Sequence, residues 1–394
     1  MSSTVDQVSP NVTVRVAGDA HEIEVVSADG QIGRYNRFWL RDNCPSSGDR
    51  ATLDREASVA ELPEDLVIRS AQVGPDGVVR VQFSDGVVDD FPPTVLAGAS
   101  PAEPDVCWRP WRAGHEPDRF VFGEVEPGAP SHHLLVEAIA RDGFAIVDGL
   151  QPDDTERLAE LLGPVRETDF GRLFDIVSEP DPFTPSQSQA ALDPHTDDPY
   201  RYGPSGVSIL HCVSPSDGDG GASTIVDGFA IAVELSHVAP EAFELLVRTP
   251  IPYLHVRDQA VEQGAEVHLR ADAPVIRLDA SGRVCGIRFH ERSMAPLALP
   301  VDEMDAVYRA LMRFARAARG DEFAYHRRLA AGEAIVYDNQ RVMHGRSAIS
   351  GTTGRRHLRL CTIDRDQVHS RLRRLRAVHR PGTEHGHLPA GNLA

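Results

Sequence analysis

The 394-residue chain contains no lysine; all 40 of its basic residues are arginine. Schiff-base chemistry needs a titratable amine, which arginine does not supply, so pyridoxal-phosphate enzymes and class I aldolases are excluded. The lysines of P-loop and kinase sites are missing too, which speaks against nucleotide-dependent phosphoryl transfer. Cysteine is sparse: Cys44, Cys107, Cys212, Cys285 and Cys361 stand apart, with no C-x-x-C pair. An odd, scattered set points to free thiols in a reducing compartment, not to a disulfide framework. No apolar run approaches the roughly 18 residues that a membrane helix needs. The first residues, MSSTVDQVSPNVTVRV, lack the basic and apolar segments of a secretion signal. A cytoplasmic protein with no membrane partner is therefore expected. Basic charge is also short: 59 acidic residues against 40 basic ones give a net charge of −19. That is the wrong sign for a nucleic-acid partner.

What is present is a succession of short β segments. VTVRV, EIEVV, IGRYNRFWL, LVIRSAQV, VVRVQF and VVDDF fill residues 12–95, with ADG, PDG and SDG turns between them. They predict a small β-rich domain, residues 1–105. The second domain, residues 106–380, opens with two helices. SHHLLVEAIARDG has Ser131 as its candidate N-cap and Gly143 as its stop, and QPDDTERLAELLG ends at Gly163. Strand-like runs follow at GVSILHCV (206–213), STIVDGF (223–229), APVIRL (273–278), AIVYDNQRVMHG (334–345) and RHLRLCTID (356–364). A long helix interrupts them at 302–318, with Met304, Val307, Leu311 and Phe314 recurring every three or four residues. Helices flanking antiparallel strands predict an α+β fold, a double-stranded β-helix (jelly roll) with helical cover. Residues 381–394 read as a disordered tail.

Within DPHTDDPYRYGPSG (193–206), His195 and Asp197 share one face of an extended segment. Chance alone gives roughly two or three His-x-Asp/Glu triplets in a chain with 17 His and 59 acidic residues. The pair gains meaning only from a third ligand, and His344, on a strand after the DNQR turn, supplies one. Two His and one carboxylate make the facial triad of non-heme Fe(II) oxygenases, with coordination positions left open. 2-Oxoglutarate and O2 would fill them. The far carboxylate of 2-oxoglutarate needs a cation, and Arg356 in GRRHLRL offers a planar fork. Ser223, past the DGDGG turn, could add a hydroxyl. Two other readings use the same residues. Zinc-dependent hydrolysis leaves Arg356 without a role and lacks the H-E-x-x-H signature. A non-catalytic jelly-roll binding protein would have kept the fold and lost the chemistry.

The blocks HTDDPYRYGPSGVSILHCVSPSDGDGGASTIVDGFAIAVEL, YDNQRVMHGRSAI and RHLRLCTIDRDQVHSRLRRLR occur in this order. They resemble gamma-butyrobetaine hydroxylase-like members of the taurine dioxygenase-like superfamily of Fe(II)/2-oxoglutarate-dependent dioxygenases. RFWLRDNCPSS resembles that family's N-terminal domain, so the likeness spans 12–378. It implies that His195, Asp197 and His344 are the catalytic iron ligands, that Arg356 holds 2-oxoglutarate, and that the protein is a homodimer.

Departures from the family pattern change two expectations. In NCPSSGDRATLD, Cys44 stands alone, and Val87 occupies the place of a family His, so the family's structural zinc is expected to be lost. The family's trimethylammonium cage works by cation–π attraction. Here Phe170 and Phe174 fall at two cage positions, while Thr184 and Gln187 stand where the family has Asn and Tyr. Thr362 takes the remaining aromatic place, and His290 and Glu291 replace an Asn pair. Asp198, beside Asp197, is a further candidate contact. With half the cage gone, the expected substrate is a small polar metabolite other than gamma-butyrobetaine. It would be oxidised at an unactivated C–H with release of succinate and CO2. Hydroxylation of gamma-butyrobetaine or another trimethylammonium compound is the alternative.

Overall fold

The computed structural model describes residues 12–26, 30–47, 58–97, 108–177, 185–257, 266–350 and 356–380. Thr184 and the tail 381–394 lie outside them. The chain forms two compact units, one within residues 1–105 and one over 106–379. Among the described residues no helix is long and apolar enough to cross a membrane.

The first unit holds β1 (Thr13–Ala17), β2 (Glu22–Val26), β3 (Ile32–Asn36), α1 (Arg37–Asp42), β4 (Ile68–Val73), β5 (Val79–Phe83), β6 (Val88–Phe91) and α2 (Pro93–Ala97). The strands form two three-stranded antiparallel sheets, β1-β2-β3 and β4-β5-β6. Strict alternation in β5 buries Val79, Val81 and Phe83 and exposes Arg80 and Gln82. These three join Ile23, Leu40 and Phe91 in one core. The IGRYNRFWL segment is a strand only as far as Asn36. There the Asn36 side chain accepts a hydrogen bond from Phe38 N (2.8 Å) and caps α1, so RFWL is helical. Cys44 is buried, and burial, followed by the charge of Asp89, pushes its thiol up to about 12. It is a protonated core thiol at neutral pH, not a reactive one.

The second unit runs β7 (Arg119–Val121), α3 (Pro130–Asp142), β8 (Phe144–Asp148), α4 (Thr155–Leu162), β9 (Phe174–Val177), β10 (Leu192–His195), β11 (Val207–Ser214), β12 (Asp219–Gly220), β13 (Ser223–Asp227), α5 (Gly228–Val238) and α6 (Pro240–Arg248). It continues with β14 (Ile251–Arg257), β15 (Val267–Ala273), β16 (Ile276–Leu278), β17 (Val284–Ile287), α7 (Val301–Arg319), β18 (Ala324–Arg327), β19 (Ala334–Asp338), β20 (Val342–Arg346), β21 (Ile349–Ser350), β22 (His357–Ile363) and α8 (Arg365–His379).

Two sheets carry the architecture: a six-stranded one, β7-β8-β19-β11-β22-β9, and a four-stranded one, β10-β20-β13-β18. Every pairing in them is antiparallel except β7 with β8. Side chains alternate faces along each strand. In the large sheet Ala145, Val147, Val207, Ile209 and Val336 turn outward onto α3, α4 and α8. Their neighbours Phe144, Ile146, Leu210, Ile335 and Leu358 turn the other way and meet Ile225 and Val342 of the small sheet. The opposite face of the small sheet, with Val226 and Met343, packs on α5, α6 and α7 through Phe229, Leu246 and Phe314. The result is four layers, helices–sheet–sheet–helices, with the site between the sheets.

Two local expectations are corrected. Ser131 does not cap α3: Pro130 occupies the first helical position after Ala129, and the Ser131 hydroxyl instead accepts from Glu126 N (3.3 Å). The 223–229 strand stops at Asp227, whose carboxylate accepts from Phe229 N and Ala230 N and starts α5.

Candidate active site

β10 and β20 pair antiparallel, with His195 directly opposite His344. That register needs a very close approach of the two strands. A Cβ on Gly345 would lie 2.6 Å from Leu192 O and 3.1 Å from Pro194 N, so only glycine fits after His344. Asp197, two residues past His195, completes the group. His195 Nε2 is 3.5 Å from one Asp197 oxygen and His344 Nε2 is 3.6 Å from the other. All three ligand atoms lie within 4.8 Å of one another.

The charge states suit a divalent cation. His195 Nδ1 donates to Asp193 O (2.8 Å), so Nε2 is the nitrogen turned towards Asp197. Burial pushes the His344 imidazole down to about 4, so it is neutral at physiological pH. Its ring lies 4.9 Å from that of the fully buried Tyr337. Burial alone would raise the Asp197 carboxyl, but His344 and His195 outweigh it and hold it below the usual carboxylate range. A neutral His344 and an ionised Asp197 are the forms that coordinate metal, and the donor set fits Fe(II).

The three side chains open into a cavity of about 500 Å³, a size ordinary for a small-molecule site. Ser223, Arg346 and Arg356 are among its lining residues, with Ser223 directly opposite Arg346 in the β13–β20 register. Arg356 is only 6% exposed, yet its guanidinium has no carboxylate partner among the described residues. Burial, then the neighbouring Arg346, lowers it to about 10, which leaves it charged at neutral pH. Arg346 donates to Ser186 O (3.0 Å), Ser188 O (2.7 Å) and Ala190 O (2.5 Å). Two buried guanidinium groups thus line the cavity.

The rest of the lining is mixed. Phe170 and Phe174 belong to it, with ring centroids 4.9 Å apart. Asp198 has a left-handed backbone (φ 56°), and its Oδ2 accepts from Ser205 Oγ at 2.8 Å. Burial and the adjacent Asp197 raise its pKa. His290 lies 4.4 Å from the His195 ring, and burial, then His195, brings it down to about 3. Thr362 lines the wall while donating to Val207 O (3.3 Å). Glu291 reaches the rim and pairs with Arg319 at 2.7 Å. Gln187 is buried but is not part of the cavity wall, and Thr184 lies outside the described residues.

Sequence reasoning missed two residues. One is Arg346, a second buried cation two positions past His344. The other is Asn339 in the DNQR turn, whose Oδ1 accepts from Asp197 N (2.7 Å) and whose Nδ2 donates to Asp197 O (3.1 Å). The signal for Asn339 was a turn asparagine between two strands, which usually serves the turn itself.

Comparison with known proteins agrees with this geometry. The taurine catabolism dioxygenase TauD, TfdA family matches residues 109–362, and the gamma-butyrobetaine hydroxylase-like N-terminal family matches residues 14–96. A gamma-butyrobetaine dioxygenase of Pseudomonas sp. (strain AK-1) is 32% identical over 385 residues, covering 90% of this chain and 94% of its own length. The mitochondrial trimethyllysine dioxygenase of Bos taurus is 28% identical, covering 85% of this chain and 81% of its own length. The human gamma-butyrobetaine dioxygenase is 26% identical, covering 91% and 95%. The chain thus belongs to the TauD, TfdA family, as a gamma-butyrobetaine hydroxylase-like dioxygenase that uses Fe(II), 2-oxoglutarate and O2.

Proposed function

We propose that the enzyme hydroxylates an unactivated C–H bond of a small polar metabolite other than gamma-butyrobetaine, releasing succinate and CO2. In this reading residues 1–105 and 106–380 are its two domains. The two facing sheets are the halves of a double-stranded β-helix. The observation that carries the proposal is one cavity holding both a His–Asp–His cluster and a buried arginine with no carboxylate partner among the described residues.

His195, Asp197 and His344 would hold Fe(II). With 2-oxoglutarate and O2 the bound ion supplies the oxidising chemistry. Arg356 fixes the far carboxylate of 2-oxoglutarate through its planar fork, with the Ser223 hydroxyl beside it. Tyr337, Leu210 and Leu358 wall the cavity and keep bulk water out. Phe170, Phe174, Asp198, His290, Glu291 and Thr362 contact the substrate and set which C–H faces the centre. Assembly as a homodimer in the cytoplasm, with iron and no zinc, belongs to the same reading.

One observation favours a second reading, hydroxylation of a trimethylammonium compound. Phe170 and Phe174 stand as an adjacent aromatic pair, and the named relatives are gamma-butyrobetaine and trimethyllysine dioxygenases. Succinate release in the presence of Fe(II) separates the two. Gamma-butyrobetaine and trimethyllysine should stimulate it weakly, and a screen of small amines and acids should find a stronger substrate. Efficient turnover of gamma-butyrobetaine would replace the first reading with the second.

A further inference from the structure

We propose that Asn339 is the positioning residue of the iron site: its single carboxamide fixes the strand-less segment carrying Asp197 to the turn that leads into His344. The inference rests on the reading of His195, Asp197 and His344 as metal ligands and goes one step beyond it.

Asn339 has no exposed surface and lies in the turn between β19 and β20. Its side chain grips Asp197 from both sides of the residue, accepting from the amide N (2.7 Å) and donating to the carbonyl O (3.1 Å). The remaining Nδ2 proton goes to Ser205 O (3.1 Å), and Asn339 N donates to Gly206 O (2.8 Å). One residue therefore ties down both ends of the 197–206 loop. That loop has little regular structure of its own and contains the left-handed Asp198 (φ 56°). Such a backbone persists only where its surroundings over-determine it. The holding turn continues directly into β20, so the same contact that sets Asp197 also references it to His344. Through the β10–β20 register it references Asp197 to His195 as well.

The geometry demands an amide. A single planar group must offer one acceptor and two donors, which Asn does and Asp, Ser or Leu do not. An aspartate here would aim lone pairs at two carbonyl oxygens. The neighbouring Gln340 gives an internal control: its side chain reaches Ser205 O (3.4 Å) and Pro204 O (3.5 Å) but not Asp197.

The test uses the full-length, metal-free protein with Asn339→Asp, Asn339→Ala, Gln340→Ala and His344→Ala variants. Fe(II) affinity is measured anaerobically against a competing chelator, and Co(II) absorption bands report ligand geometry. Both Asn339 variants should bind Fe(II) about 10- to 100-fold more weakly and shift the Co(II) bands. Gln340→Ala should match the parent. If Asn339→Asp does not fold, Asn339→Ala carries the test. A folded Asn339 variant with parental affinity and bands, even one that melts earlier, overturns the proposal. So does a Gln340→Ala variant as impaired as Asn339→Ala. A His344→Ala variant that binds Fe(II) like the parent would instead bring down the ligand assignment itself.

Discussion

His195 and His344 face each other across the β10–β20 pair, their ring centroids 4.4 Å apart. Strand pairing, not sequence proximity, thus brings the two imidazoles to one point. Anything that opens this pair should disperse the site. Gly345 is the sensitive position, because an added Cβ would sit 2.6 Å from Leu192 O, a backbone atom that cannot rotate away. Gly345→Ala should cost about 1–3 kcal/mol of stability and weaken Fe(II) binding with it. Chemical denaturation and metal titration of the same preparation check both. A variant with parental stability and iron affinity would show that the strands yield more easily than the distances imply.

Arg356 should act on 2-oxoglutarate and on little else. Removing a charged hydrogen-bond partner costs about 1.5–3 kcal/mol, so Arg356→Ala should raise the KM for 2-oxoglutarate about 10- to 100-fold. Arg356→Lys keeps the charge but loses the planar fork and should fall between. Steady-state kinetics with 2-oxoglutarate varied is the check. An unchanged KM in Arg356→Ala would move the anchoring role to Arg346.

Acid sensitivity should trace in part to Glu333. Burial alone would raise its carboxyl, but Arg327, the Ala330 amide (2.8 Å) and Arg119 (2.9 Å) outweigh it and hold it at about 2. A carboxyl at about 2 in the folded chain and near 4.5 when unfolded stabilises the fold fully above pH 4.5. That contribution disappears as pH falls from 4.5 towards 2. Glu333→Gln should therefore lower stability at pH 7 by about 2 kcal/mol, with the gap from the parent closing in that acid window. Denaturation at a series of pH values measures it; a gap that stays constant down to pH 2 would contradict the assignment.

Much of this could be read from the residues, for physical reasons that also explain the misses. Alternation in β5 is strict because one face packs on a core and the other is exposed, whereas β11 and β19 read as continuous apolar runs because both of their faces are buried. The convergence of His195, Asp197 and His344 on a cavity that Arg356 also lines was legible because the proposed metal and anion roles call for particular residue types in a set order. The RFWL turn of helix was hidden by an apolar pattern that suits either structure, and only the Asn36 cap decides it. α5 was hidden for a different reason. FAIAVEL is apolar almost throughout because it is buried between sheet and helices, so it shows no helical period. Asn339 and Arg346 act on backbone atoms of distant segments, and no spacing in the sequence encodes those contacts. Gln187 aligned with a cage position but is not part of the cavity wall.

The account depends most on residues 195, 197 and 344 forming one functional centre. Iron-dependent succinate release from 2-oxoglutarate, measured for the parent and for His344→Ala at equal protein concentration, tests this directly. The parent should bind about one Fe(II) per chain and release succinate only when iron is present, and His344→Ala should do neither. Undiminished turnover by His344→Ala would contradict the account.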